Sequence, residues 1–543
     1  MARIDQLAVE FGLTYFDADG VAHDIVVDRE GVARPGSLAK ELGLSVRKVV
    51  GTDITSWYVS VTPSAPVRFT SVEAQVIGVG LHKADALYLN GYNSWTDSVE
   101  RPPIAAMRGL AGVPKRIVDQ WVLDGSGDYR FAEQDARPGR QHGFGYGYVR
   151  KGDDVLLVGS LDEDSGFTFM REALMWDLFE LKKEPPVDEL RAGVPYELMS
   201  FAAAEGTLDQ AVDSWLSRAG ISARPAAPVV GFSSWYRHYE AIDQFKLARD
   251  LSEVHQLFEG RDVGNCRKVF QIDDGYTCVG DWTSPYTRRF PDGMEAMVES
   301  IRKADFVPGL WLAPFVCSVD SQLYREHPEW LLTDDAGQPV STGSHWNGAY
   351  ALDTLLPEVR AHVRASLSTA IHEWGFEFLK LDFLYGTCML PHGGMNRGQL
   401  MADALELIRE TVGDDAVLDL CGVPMTSAFG RCEYCRIGCD VSLDWNDVPH
   451  MRFLHRERVS TKRSLANTRG RAHLDGRVFR CDPDVYFLRR DVKLTHAQRE
   501  ALIAADAALG GVFFTSDDVG SWDKGQLATF GLHLATFVER SKR

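Results

Sequence analysis

Basic excess is missing from this chain of 543 residues: 58 Lys and Arg stand against 77 Asp and Glu, a formal net charge of -19. A surface of that sign repels polyanions. Nucleic acid and anionic membrane are therefore excluded as partners, while a neutral small molecule is not. No apolar run is long enough to span a bilayer. Met1 to Phe16 has no basic stretch followed by an apolar core, so no signal peptide is expected. The nine cysteines are an odd number and none precedes Cys266. That excludes a disulfide framework and points to reduced thiols in a cytoplasmic protein. No histidine cluster marks a metal-ligand set, and internal repeats and low-complexity tracts are lacking.

What is present is a chain of two characters. Residues 1–205 hold short alternating runs, such as those around Val67 to Val72, Ala86 to Leu89, Gly145 to Val149 and Asp154 to Val158, separated by Gly, Pro, Asn and Asp. Many short strands with frequent turns predict an N-terminal β-sandwich. Residues 206–228 read as a helical linker: an amphipathic helix from Thr207 to Ala219, then a Pro-rich break. From residue 229 to 543 strands and helices alternate. Strands are predicted at Val229 to Phe232, Lys268 to Ile272, Pro308 to Ala313, Phe378 to Tyr385, Ala416 to Leu420, Cys435 to Val441, Asp484 to Leu488 and Gly511 to Phe514. Eight strands with intervening helices predict a (β/α)8 TIM barrel, so the fold class is multidomain, β followed by α/β.

In such a barrel the chemistry sits at the C-terminal ends of the strands. Polar residues there include Trp235 after strand one, Asp273 and Asp274 after two, Trp311 in three, Lys380 and Asp382 in four, Cys421 after five, Arg436 and Asp440 around six, and Asp517 and Asp518 after eight. Carboxylates accept from pairs of hydroxyls, Lys and Arg donate, and a Trp face covers the apolar side of a pyranose. Glycoside hydrolysis needs two carboxyl groups. Asp382, out of place in an apolar strand, is the candidate nucleophile. Lys380 lies on the same strand face and is expected to help keep it ionised. Asp440 closes an apolar, cysteine-rich segment, and desolvation there is expected to keep it protonated as a general acid.

These residues and their order resemble the α-galactosidases of glycoside hydrolase family 36, in the clan shared with family 27. The matching segments are Ser234 to Tyr239, Phe270 to Tyr276, Gly280 to Trp282, Pro308 to Phe315, His327 to Trp330, Lys380 to Leu384 and Arg436 to Asp440. Asn90 to Trp95 resembles the loop by which the family's N-terminal sandwich reaches the active site. The resemblance implies a retaining mechanism, with Asp382 as nucleophile and Asp440 as acid/base. It implies that Asp273 and Asp274 hold the 4- and 6-hydroxyls of galactose. Lys380 and Arg436 would donate near the nucleophile, and Trp95, Trp235 and Trp311 would line the substrate; Cys421 joins them as a substrate-binding candidate from its place after strand five. No metal or organic cofactor is implied. A C-terminal β-domain usual in the family is expected to be absent or truncated, since the chain ends at Arg543 after the last predicted barrel helix.

Other readings compete. Related enzymes transfer galactosyl units or cleave α-N-acetylgalactosaminides, and a degenerate barrel can bind sugar without turnover. The loop from Cys421 to Cys439 is expected to face the 2-substituent and so to discriminate. Cys432, Cys435 and Cys439 are close enough to suggest a metal, but a fourth ligand is not evident and buried thiols are the plainer reading. Asp162 to Asp164 reads as a solvated turn. Homo-oligomers are possible, with Trp95 serving its own barrel or a neighbour's.

Overall fold

The computed structural model describes residues 3–107, 109–110, 113–121, 131, 135–446 and 459–542. Two antiparallel sheets form first. One has seven strands, with Ala8–Phe16 paired to Arg68–Ile77 near its middle; the other has six, with Tyr196–Gly206 between Ile54–Val61 and Asp154–Ser160. Along Ala8–Phe16 burial alternates residue by residue, as a strand with one face on a core requires. Val72, Val76 and Phe179 of one sheet and Val59, Val158 and Phe201 of the other share that core. The predicted sandwich is therefore present.

The six-stranded sheet is buried on its second face as well. There Tyr88, Tyr146, Leu157 and Ala202 join the helix Leu208–Ala219 and the barrel in one continuous core. Thr207 caps that helix with a reciprocal Gln210 bond. Trp215 donates its indole N–H to Ser160 O (2.9 Å) and packs against Tyr146 and against Phe429 of the barrel.

The parallel sheet runs in the predicted order: Val229–Ser233, Arg267–Ile272, Val307–Leu312, Phe378–Leu381, Val417–Leu420, Tyr434–Arg436, then a seventh position, then Val512–Thr515. The eighth strand pairs with the first. Three strands differ from the sequence reading. Strand four stops at Leu381, because Phe383 takes a left-handed φ of 54°. Strand six is only Tyr434–Arg436, so Asp440 lies on a loop. Strand seven is broken: Arg480–Asp482 pairs with strand six, and Val485–Tyr486 pairs with strand eight. Pro483 and Asp484 (φ 86°) make the break.

Helices cover the outside at Gln244–Phe258, Gly293–Lys303, Pro357–Ser368, Arg397–Val412, Thr461–Arg471, His496–Leu509 and Lys524–Ser541. Between strands five and six stands only a 3₁₀ turn, Met425–Ala428. Phe429, just beyond that turn, is the residue against which Trp215 of the linker helix packs. After strand three the chain adds a small antiparallel sheet, Val316–Ser318, Ser341–Gly343 and Ala349–Ala351.

The acidic run is only partly solvated: Asp164 is exposed, but Asp162 and Glu163 are half-buried against the barrel. Asp164 pairs with Arg431, and Glu163 accepts from Thr168 N and Thr426 Oγ1 (both 3.3 Å). It lines a cavity of about 210 Å³ between sandwich and barrel, and burial pushes the Glu163 carboxyl up. Arg431 and Thr426 come from the barrel, a partner that the local sequence around residue 163 does not announce. Among the described residues no helix is long and apolar enough to cross a membrane.

Candidate active site

Asp382 is the first residue past strand four. Its amide still donates to Leu312 O (2.8 Å), so it continues the strand pairing for one residue before Phe383 turns away. The carboxylate is buried and both oxygens have donors. Trp311 Nε1 donates to Oδ2 (3.1 Å) and the Phe383 amide to Oδ1 (2.8 Å). Two neutral donors at these distances fix its orientation.

Lys380 does not pair with Asp382. Its ammonium donates to Asp273 Oδ2 at 3.0 Å. Two-residue spacing puts Lys380 and Asp382 on one face, but strand two supplies the carboxylate that takes the charge. Burial pulls the Lys380 ammonium down, but the negative groups around it, Asp273 foremost and Asp382 among them, together hold it above its ordinary value. Asp273 also accepts from Gln271 Nε2 (2.7 Å) and from the Asp274 amide (3.0 Å). Its neighbour differs. Asp274 Oδ2 accepts the indole N–H of Trp346 (2.8 Å), and burial pushes this carboxyl up to about 7. Trp346 belongs to the insertion after strand three. Its ring centroid is 6.1 Å from that of Trp311 and 4.8 Å from that of Phe383.

A second group gathers around Arg436, which is buried at the end of strand six. It donates to Asp440 Oδ1 (2.9 Å) and lies 3.2 Å from Asp484 and 3.7 Å from Asp482. Burial would depress the guanidinium; the carboxylates reverse this. Asp484 also accepts from Tyr236 OH (2.6 Å) and the Val441 amide (2.9 Å), and burial pushes it up to about 7. Asp440 itself is not desolvated as the sequence reading expects. Its side chain is 42% exposed and ion-paired. The cysteines explain the difference: Cys432, Cys435 and Cys439 are buried in the core, and the loop emerges from it at Asp440. Among the described residues no group of His, Cys, Asp and Glu is arranged to hold a metal ion.

The third part is a wall from the sandwich of the same chain. Ser94 N donates to Val423 O (2.9 Å), the Gly422 amide donates to Ser94 Oγ (2.9 Å), and Trp95 Nε1 donates to Cys421 Sγ (3.2 Å). The Trp95 ring packs edge-on to Phe383 and Tyr385. Gly422 has φ 56°, and a Cβ there would meet the Trp95 ring at 3.0 Å. Burial, then the Asp382 charge, pushes the Cys421 thiol well up, while Arg436 and Lys380 oppose this. Cys421 therefore lies amid all three parts. Trp235 stands at the rim, its ring edge-on to Tyr239. Asp517 and Asp518 serve elsewhere: Asp517 accepts the Leu488 and Arg489 amides, and Asp518 pairs with Arg237.

Sequence reasoning misses Trp346, Asp482, Asp484 and Arg471. The Asp-Pro-Asp run at 482–484 is a signal, since two carboxylates flank a strand break. Trp346 sits in a polar Asn-Gly loop, where an exposed indole is unusual. Arg471 has no local signal. It is fully buried and donates to Ser94 O (2.7 Å), Asn93 O (3.0 Å), Ile437 O (3.0 Å) and Asn90 Oδ1 (3.2 Å). It thus ties the Trp95 loop to the segment that carries Arg436 and Asp440.

The melibiase family matches residues 261–397. A probable α-galactosidase C of Aspergillus flavus is 31% identical over 134 residues, 21% of this chain. The match spans only 17% of the length of that curated relative. An α-galactosidase of Thermus thermophilus, solved with p-nitrophenyl α-D-galactopyranoside, superposes with a TM-score of 0.70 at 26% identity. It covers 90% of this chain and 94% of its own. A family 36 α-galactosidase of Geobacillus stearothermophilus shares the fold at 11% identity, with a TM-score of 0.64 over 98% of this chain and 76% of that one. In the matched segment and across the whole of its fold, the chain resembles the α-galactosidases of glycoside hydrolase family 36.

Proposed function

We propose that the chain is a retaining α-galactosidase, with a sandwich at 1–205, a linker at 206–228 and a catalytic barrel at 229–543. The arrangement at Asp382 carries the reading: a buried carboxylate oriented by two donors, beside a Lys380–Asp273 pair. In the first step Asp382 attacks the anomeric carbon and the bond to the leaving oxygen breaks. Asp440 gives that oxygen its proton. In the second step Asp440 takes a proton from water, which attacks the anomeric carbon and frees Asp382. The part of Asp440 that is exposed leaves room for that water, whose proton restores the acid for the next turnover. Asp273 and Asp274 accept from the sugar hydroxyls, Lys380 and Arg436 donate, and Trp311 lies beneath the ring. The thiol-rich, disulfide-poor sequence supports a cytoplasmic location, and any oligomer would not be needed to complete the site, since Trp95 comes from the same chain.

The Trp95 wall favours a plain 2-hydroxyl over an acetamido group, because the side formed by Cys421 and Gly422 is closed by an indole. The expected result is turnover of p-nitrophenyl α-galactoside at least about 100-fold above the α-glucoside and the α-N-acetylgalactosaminide. Turnover of either of the others alone would contradict the galactose reading. Product analysis with a sugar acceptor present separates hydrolysis from transfer.

A further inference from the structure

Tyr239 ends the short helix Trp235–His238 that follows strand one. Its φ of 49° and ψ of -141° fall outside the small left-handed region open to residues with a Cβ. Such strain persists only where the surroundings enforce it. Here they do. The Tyr239 amide donates to Trp235 O. The next residue, Glu240, places its carbonyl oxygen 2.5 Å from where a Cβ of Gly275 would stand. Arg289 donates to Gly275 O (2.7 Å) and also to Glu240 O, which clamps the two loops together.

The ring held in this way is not spent on core packing. Tyr239 is 44% exposed. Its ring lies edge-on to Trp235 (5.3 Å) and Tyr236 (6.2 Å). Tyr236 donates to Asp484, and Asp484 shares Arg436 with Asp440. The Asp440 charge reaches the phenol itself: after burial it adds to the rise of the Tyr239 hydroxyl, against Arg489. Tyr239 therefore stands at the rim between the Asp274–Gly275 loop and the proton donor. Whatever is attached to the leaving oxygen must pass Asp440 on its way out.

We propose that Tyr239 is a platform for the leaving group, stacking its ring on the apolar face of the sugar joined to galactose and so favouring oligosaccharides over simpler galactosides. The inference rests on the galactosidase reading above. Its test compares α-galactosyl fluoride, whose leaving group is one atom and reaches no platform, with raffinose, whose leaving group is a disaccharide. Tyr239→Gly removes the ring and suits the positive φ, so the fold is not put at risk. Tyr239→Phe keeps the ring. The ratio of kcat/KM on raffinose to that on the fluoride is expected to fall about tenfold in the glycine variant and to hold in the phenylalanine variant. An unchanged ratio in Tyr239→Gly would overturn the platform while leaving the galactosidase reading intact. Failure of the unaltered enzyme to turn over the fluoride at all would overturn that reading and the platform with it.

Discussion

Asp382→Ala is expected to lower kcat on p-nitrophenyl α-galactoside by about 10⁴-fold or more, the usual scale for loss of a nucleophile. The fold should survive. Strand four ends at Leu381, so the substitution touches no strand residue, and what it leaves unpaired are Trp311 Nε1 and the Phe383 amide at the mouth. Added azide is expected to recover part of the rate, because a small anion fits the space the carboxylate vacates. The leaving group departs from the α face and azide enters from the opposite one, so the product should be β-galactosyl azide. p-Nitrophenolate leaves with little help, which keeps the rescue independent of Asp440. Retention of more than a few per cent of the activity in Asp382→Ala, without azide, would move the nucleophile elsewhere.

Arg471→Ala is expected to have the largest effect on stability at the site. The side chain is fully buried and its donors satisfy the carbonyls of Asn93, Ser94 and Ile437. Removing it leaves the Ser94 and Ile437 carbonyls unpaired, while Asn93 O keeps the Thr96 amide, and opens a cavity, a cost of about 3–5 kcal/mol. The loss falls on a junction, where the sandwich loop bearing Trp95 meets the loop bearing Asp440. Hydrogen exchange at the Ser94 and Gly422 amides, which bond the same Trp95 loop to the segment after strand five, should speed up by about two to three orders of magnitude. Arg471→Lys should rescue little, since one ammonium cannot reach acceptors spread over a guanidinium. Unchanged exchange at both amides would show that the loop is held by its other contacts.

Much of this could be read in the residues, and the failures have physical causes. Strands one to five and eight are short, mainly apolar runs, and they lie at those runs, although strand four ends at Leu381 where Phe383 turns the chain. Strands six and seven are pieces of two or three residues, too short for any period to show, and the second is broken at Asp484. The helix Thr461–Arg471 escapes a search for apolar periodicity because its buried face is largely polar, with Thr461, Ser464, Asn467, Thr468 and Arg471 turned inward. The helix His496–Leu509 has a signal that apolar counting passes over: Thr495 and Gln498 form a capping box. At the site Asp273, Asp274 and Asp382 stand out in the sequence, because an Asp beside or in an apolar strand is costly without a purpose, whereas Asp482 and Asp484 are missed. The partners of these residues are not legible there. Lys380 finds Asp273 instead of Asp382, Asp440 stands in water beside Arg436, and Trp346 arrives from an insertion. The first depends on the strands lying side by side round one mouth and the last on how the insertion folds back over it, neither of which local sequence carries.

Asp382 is expected to form a covalent bond to galactose. This is tested by incubating the protein with a fluorinated α-galactosyl fluoride whose glycosyl-enzyme hydrolyses slowly, then digesting it and weighing the peptides. One fluorogalactosyl unit is expected on the peptide that contains Asp382, and none in Asp382→Ala. A label on another carboxylate, or β-galactose as the first product released from an α-galactoside, would contradict it.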